Sequence, residues 1–431
     1  MECNSNLIRF LQSDLDGVFY VGHASILIRL SGKTILCDPA GMSDPYFNAW
    51  YYYPDQKISK ELLNVDYVFI SHIHKDHLDE IYLQNISSHT KVIILDKRET
   101  LQNELKSLKV KFQTIDSDNS YNLYDDVYID GFVNSINKID SSALFYNESF
   151  SVYHGNDHWA DIVEVHKSLK ERDLDVACVP FAFVYWYPFE FTNLTREERD
   201  AEANRLINQH LDYAVDFIKK IEPRLMIPFG SNLVHFTGAY SECNLAVKTP
   251  IEFLHYALDK IPQLSHGVEP LHADDYILCQ NKKLYITKEK RSIKEYRDSM
   301  NQYIQCCMYK NDPEYYFKKF EMVDKISFLK VIKSRANKIP TLDQVLIVES
   351  QCKNRILSID FRHGDIKFIT NKDKNLIDTN YHIFTLDPYM SKAYFSGKIN
   401  FDAVLGTRRF KVYRDPDIHC KETFAFIATQ I

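Results

Sequence analysis

Apolar positions in the first 160 residues come in short runs, alternating or continuous, each closed by polar residues or a turn signal. That spacing predicts strands. The runs are Val18–Val21, Ser25–Leu30, Thr34–Cys37, Tyr67–Ile70, Val92–Leu95, Val127–Ile129, Ala143–Tyr146 and Phe150–Tyr153, with Ser31-Gly32-Lys33 as a hairpin turn. From 162 to 172 the period becomes helical, and Asp175–Phe181 reads as a buried strand. Thr195-Arg196-Glu197-Glu198 is a capping box opening a helix to about Ile221, where Pro223 stops it before the apolar run Leu225–Phe229. Strand, helix, strand, helix, strand is the signature of an α/β layering.

Past residue 285 the pattern changes to a Lys/Glu/Tyr-rich helical stretch from 287 to about 337, broken at Pro313. Strand runs follow at Gln344–Glu349, Ile356–Phe361 and Ile366–Thr370, then a helix from Asp387-Pro388. The expected organisation is a catalytic unit over 1–285 and a smaller α+β domain over 286–431.

Composition removes several functional classes. Only 12 of 431 residues are Gly, and none form G-x-G-x-x-G; Gly17 and Gly22 have P-loop spacing, but His23-Ala24 follows where Lys and Ser/Thr are required. Dinucleotide and Walker-type nucleotide sites are excluded. The 52 basic and 59 acidic residues leave a net charge of −7, with no basic footprint for nucleic acid. Nine Cys without C-x-x-C pairs indicate a reducing compartment, and the amino terminus lacks a signal-peptide pattern. With no segment of 18 uninterrupted apolar residues, membrane insertion is not expected, and the reading is a soluble cytoplasmic protein.

The chemistry is concentrated in Ser71-His72-Ile73-His74-Lys75-Asp76-His77, an H-x-H-x-D-H sequence directly after an apolar strand. In extended backbone, residues i and i+2 point to one side. His72 and His74 can therefore reach one metal ion, while the following turn aims Asp76 and His77 at a second.

On this window the chain resembles the metallo-β-lactamase fold superfamily. Val21-Gly22-His23-Ala24-Ser25 and Thr34-Ile35-Leu36-Cys37-Asp38-Pro39 are similar to the branch containing ascorbate-6-phosphate lactonase and the phospholipase D acting on N-acylethanolamine lipids. A longer resemblance, through Val179-Pro180-Phe181, the aromatic run to Phe191-Thr192, and Glu222-Pro223-Arg224 to Pro228-Phe229, is to the catalytic domain of CMP-N-acetylneuraminate hydroxylase-like proteins. Phe395-Ser396-Gly397-Lys398 and Leu405-Gly406-Thr407-Arg408-Arg409-Phe410 extend it towards the carboxyl end.

The resemblance implies an αββα sandwich and a dimetal site. It implies His72, His74, Asp76 and His77 as metal ligands, and Asp157 of His154-Gly155-Asn156-Asp157-His158 as the carboxylate bridging two ions. A third ligand of the first metal is a His in the family pattern, but none lies between Asp130 and Phe145. Asp140 or His154 takes that place, and His235 is the last expected ligand. Asp38 is expected to orient a ligating His, or to be a strand-ending turn residue. His23 and His158 are expected beside the site or as structural residues. Tyr46, Trp50, Tyr51, Tyr52, Tyr53 and the run Tyr185–Phe189 either shape a substrate pocket or fill the core.

Two activities follow from the resemblance. One is a non-heme dimetal monooxygenase, an oxidoreductase with two iron ions and an external electron donor, hydroxylating a small molecule. Asp replacing a His favours it, because oxygen-rich sites suit iron. The Rieske domain usual in that family is absent from the sequence: no Cys has a His at C-x-H or C-x-x-H spacing. The alternative is a zinc- or manganese-dependent hydrolase of a lactone or phosphodiester, with Asp76 or Asp157 orienting water.

Overall fold

The computed structural model describes residues 5–56, 58–134, 139–169, 172–182, 186–230, 233–262, 267–310, 312–336, 339–352, 354–415, 422–423, 426–427 and 431. Eight strands form a first sheet in the order Lys283–Thr287, Tyr276–Gln280, Asp16–Gly22, Ser25–Leu30, Lys33–Cys37, Tyr67–Phe69, Lys91–Leu95 and Phe112–Ile115. Seven form a second, in the order Gly267–Val268, Leu225–Phe229, Val176–Pro180, Ser151–His154, Ser141–Tyr146, Val127–Val133 and Tyr121–Tyr124.

The two-residue period of each strand sorts side chains between two cores. Val18, Tyr20, Ala143 and Phe145 point into the layer between the sheets, where Phe69 meets Phe145 at 5.5 Å, nearly edge-on. Phe19 and Val21 point outward instead, to helices Ser5–Gln12, Glu80–Asn85 and Glu99–Ser107. On the far side Leu144 and Tyr146 meet helices Ile162–Leu169, Arg196–Ile221 and Pro250–Lys260. The result is the αββα sandwich that was expected. Each fully buried ring or branched side chain in these layers contributes about 1.5–3 kcal/mol.

Local signals act where the sequence places them. Ser31 and Gly32 both have positive φ, 45° and 79°, closing a tight hairpin whose twist suits the flanking strands. Thr195 and Glu198 form the reciprocal capping box of Arg196–Ile221.

Around residue 285 the pattern differs from expectation. Lys283–Thr287 is the edge strand of the first sheet, with Leu284 and Ile286 against the inter-sheet core, so helix begins only at Ile293. Helix Ile293–Cys307 then packs Tyr296 and Met300 against Tyr51, Tyr53, Val234 and Phe236. Pro313 opens a further helix, Pro313–Phe317, as its first residue.

A separate five-stranded sheet runs in the order Asp365–Ile369, Ile356–Asp360, Val345–Ser350, Tyr381–Leu386 and Phe410–Asp415. Helices Lys325–Arg335, Pro388–Tyr394 and Phe401–Thr407 pack on it. The aromatic run joins this core: Trp186 stacks on Phe191 at 5.6 Å, and Phe191 bridges Val412. Core packing is thus the role of Trp186 and Tyr187, while Tyr185 lies outside the described residues. Among the described residues no helix is long and apolar enough to cross a membrane.

Candidate metal centre

Parallel pairing gathers the polar residues at one edge of the sandwich. Lys33–Cys37 and Tyr67–Phe69 run parallel, so Asp38 and the loop from Ser71 leave the first sheet side by side. In the second sheet Ser151–His154 delivers Asp157 from its carboxyl end. Antiparallel Ser141–Tyr146, in register Ala143 to His154, brings Asp140 to the same edge.

One cluster contains His72, His74 and Asp157, with ligand-capable atoms all within 4.8 Å of one another. His72 Nε2 faces His74 Nδ1 at 2.8 Å, and Asp140 Oδ1 and Asp157 Oδ2 each stand 3.9 Å from it. The other ring nitrogen of His72 lies 2.9 Å from the Ser71 hydroxyl. Burial, then the neighbouring His77 and His74, hold the His72 pKa well below its ordinary value.

The second cluster is His23, Asp76 and His77, all buried. Asp76 Oδ2 is 2.9 Å from His23 Nε2 and 3.2 Å from His77 Nε2. Asp157 Oδ2, 3.3 Å from His77 Nε2, reaches both clusters. Asp38 holds the far side of His77, with Oδ2 2.9 Å from Nδ1. Burial disfavours the charge on Asp76, yet His77 and His23 keep its carboxyl well below the usual range. Burial likewise opposes protonation of His77, but Asp76 and Asp157 raise its pKa well above normal.

Other expected residues lie apart from these clusters. His154 is buried with Nε2 3.1 Å from the Ala24 carbonyl and 3.8 Å from Asp38, so of the two alternatives it is Asp140 that faces His72. His235 belongs to neither cluster. It pairs with Trp50 in a two-stranded ribbon, Leu233–His235 against Trp50–Tyr52, and neither ring nitrogen has a hydrogen-bond partner among the described residues. His158 is held by Ser142 at 2.9 Å, and burial, then Arg98, pushes its pKa down to about 4. Trp50 and Tyr52 wall the second cluster, 6.0 and 5.6 Å from the His23 ring, and Tyr46 lies 5.5 Å behind Trp50.

One polar neighbour has no counterpart in the sequence reading. Asp402, buried at the start of helix Phe401–Thr407, has Oδ1 3.4 Å from His74 Nε2. An acidic residue in a helix's first turn reads in sequence as a favourable end charge, and no spacing rule joins it to a His 328 positions earlier.

The donors fit bound metal. His72 Nε2 and His74 Nδ1 lie 2.8 Å apart, within hydrogen-bond distance, and with both nitrogens unprotonated the same pair offers two convergent lone pairs to a cation. His77 Nε2 is buried without a well-formed hydrogen bond and is aimed at two carboxylates. Nitrogen from His with oxygen from Asp is the donor mixture of zinc, iron and manganese sites.

An αββα sandwich carrying paired His/Asp clusters at one sheet edge defines a metallo-β-lactamase-fold, metal-dependent enzyme. Residues 17–230 match the family model described as the beta-lactamase superfamily domain. A protein of Mycolicibacterium smegmatis described as a Rieske 2Fe-2S iron-sulfur protein is 25% identical over 221 residues, covering 48% of this chain and 42% of that one. A Mycobacterium tuberculosis protein of the same description is 26% identical over 220 residues, with the same coverage. The chain thus spans 42% of the length of these curated relatives. Among solved structures it is similar to CmlA, a diiron beta-hydroxylase from Streptomyces venezuelae, with 15% identity, 64% of this chain and 55% of that one covered, and a TM-score of 0.42. It is also similar to Igni18, a metallo hydrolase from Ignicoccus hospitalis, with 15% identity, coverage of 64% and 99%, and a TM-score of 0.39.

Proposed function

We propose that the chain is a non-heme dimetal monooxygenase, with iron as the metal and a small molecule as the substrate. The observation that carries this reading is the carboxylate share of the site. Asp76, Asp140 and Asp157 stand among His23, His72, His74 and His77, with Asp157 reaching both clusters. Such oxygen-rich sites accommodate iron with open positions more readily than a closed tetrahedral zinc site does.

His72, His74, Asp140 and Asp157 would hold one ion, and His77, Asp76, His23 and Asp157 the other. The bound ions would supply the redox chemistry that reduces O₂ and inserts one of its oxygen atoms into a C–H or N–H bond. Asp38 fixes the ring of His77 by holding Nδ1, leaving Nε2 directed at Asp76 and Asp157. Trp50, Tyr52 and Tyr46 keep water from the His23 side. Burial, then Asp76 and a second acid (Asp79 beside Tyr52), lifts the Tyr52 hydroxyl well above its usual range, so this wall stays neutral.

Electrons come from an external donor in this reading. The Rieske description of the curated relatives is in keeping with such a donor. The test is metal analysis of anaerobically purified protein, with optical spectra on adding reductant and then O₂. Near-stoichiometric iron, a spectrum that changes on reduction, and O₂ uptake are expected. Stoichiometric zinc or manganese without O₂ consumption overturns the oxygenase in favour of the hydrolase.

A further inference from the structure

The two ends of the His74 ring face different parts of the molecule. Nδ1 lies 2.8 Å from His72 Nε2, towards the first cluster, whereas Nε2 lies 3.4 Å from Asp402 Oδ1. Asp402 is not a chance surface acid. It is buried, and its helix is fixed by the Asn400 cap, 3.1 Å from the Ala403 N–H. Phe401, the residue before it, is fully buried against Phe384 and Tyr394 at 5.1 and 5.4 Å. The carboxylate is therefore presented from the core of the five-stranded sheet to a residue of the αββα sandwich.

We propose that Asp402 is a positioning residue for the metal centre. It holds a proton on His74 Nε2, so that Nδ1 offers its lone pair to an ion shared with His72. The proposal rests on the reading of the His/Asp clusters as a metal site. Its physical basis is general: a carboxylate on the distal nitrogen of a ligating imidazole fixes the tautomer and ring orientation and raises ligand basicity. Asp38 stands in the same relation to His77, at 2.9 Å. The carboxyl-terminal sheet thereby completes the site instead of merely adjoining it.

The full chain, stripped by chelator and reloaded with Zn²⁺ alone, tests this by competition with a chromophoric chelator. The wild type is expected to take two ions. Asp402→Asn should weaken one of them by roughly 10- to 100-fold, and Asp402→Glu should recover part of that loss. In a His74→Ala background Asp402→Asn should change nothing further, which a purely structural acid would not satisfy. Equal affinity in wild type and Asp402→Asn, or the same loss in both backgrounds, overturns the proposal. If Asp402→Asn melts below the assay temperature, Asp402→Ser enters the same cycle with the same two outcomes. Two bound ions that His72→Ala abolishes but Asp402 variants leave untouched refute only the positioning role. A wild type that binds no ion refutes the metal site as well.

Discussion

Asp38 Oδ2 lies 2.9 Å from Nδ1 of His77, while the same carboxylate accepts the backbone N–H of Ser71 at 2.8 Å and its hydroxyl at 2.6 Å. One fully buried side chain thus ties the end of strand Lys33–Cys37 to both the start and the end of the His-rich loop. Its φ of 45° is one that Asn tolerates and Ala does not. Asp38→Asn is therefore expected to fold while losing the charge that orients His77. Metal affinity should fall about 10- to 100-fold, read by metal content after dialysis against a weak chelator. Unchanged retention would mean that Asp38 serves only the turn.

Asp140 and His154 make opposite predictions. Asp140 faces His72 Nε2 at 3.9 Å, whereas His154 spends Nε2 on the Ala24 carbonyl. Asp140→Ala should release an ion and leave the melting temperature of the metal-free protein nearly unchanged. His154→Phe should keep both ions and lose about 1–3 kcal/mol of stability from the unpaired carbonyl. Metal counting on the two purified variants decides, and loss of metal from His154→Phe alone would reverse the assignment.

How far these features were legible depended on the range of the interaction concerned. H-x-H-x-D-H is local, and a strand followed by a loop is enough to bring His72, His74, Asp76 and His77 together. The inter-sheet strands were equally readable, because a two-residue period must bury one face. Edge strand Lys283–Thr287 was not, since its outward Lys283, Tyr285 and Thr287 resemble the solvated helix that follows. Choosing between Asp140 and His154 required the Ala143–His154 register, which depends on pairing across the chain. Asp402 reaches His74 only through the docking of one sheet system on another, and no periodicity encodes that. His235 was placed by analogy with later strand ends, but its strand pairs with Trp50–Tyr52 outside the main sheets.

Gly406 offers a test of that docking. A Cβ there would overlap the ring of Tyr46, which leans on Trp50 at 5.5 Å and so backs the wall around His23. Tyr46, Phe47 and Asn48 are consecutive residues with φ of 48°, 58° and 56°, each costing roughly 1–3 kcal/mol. The carboxyl-terminal side holds them there: Phe47 packs on Phe317 and Phe320 at 5.1 and 5.8 Å. Gly406→Ala should destabilise by about 1–3 kcal/mol in denaturant unfolding, and tryptophan fluorescence should report a disturbed Trp50. A neutral effect on both would show that the Tyr46 turn can move freely, contrary to this packing.

His210 should make stability depend on pH. It is buried in helix Arg196–Ile221, with its ring edge-on to Trp159 at 4.1 Å and Nδ1 2.8 Å from the Leu206 carbonyl. Burial lowers its pKa from 6.5 to about 4, outweighing the opposite effects of the Leu206 carbonyl and Asp157. Above pH 6.5 both folded and unfolded forms are neutral and the group has no effect. As pH falls towards 4 the unfolded chain takes up a proton that the folded chain refuses, so stability is lost across that window. Below the folded pKa both are charged and the loss is complete, at most about 3 kcal/mol for this shift. His158 and His272, also pushed down to about 4, act in the same direction, so the wild-type curve alone does not isolate His210. The difference between wild type and His210→Gln does: the wild type's advantage at pH 7 should shrink steadily down to pH 4. Denaturant unfolding at several pH values measures it, and a difference that stays constant from pH 7 to 4 would mean that His210 is protonated in the folded protein as readily as in the unfolded chain.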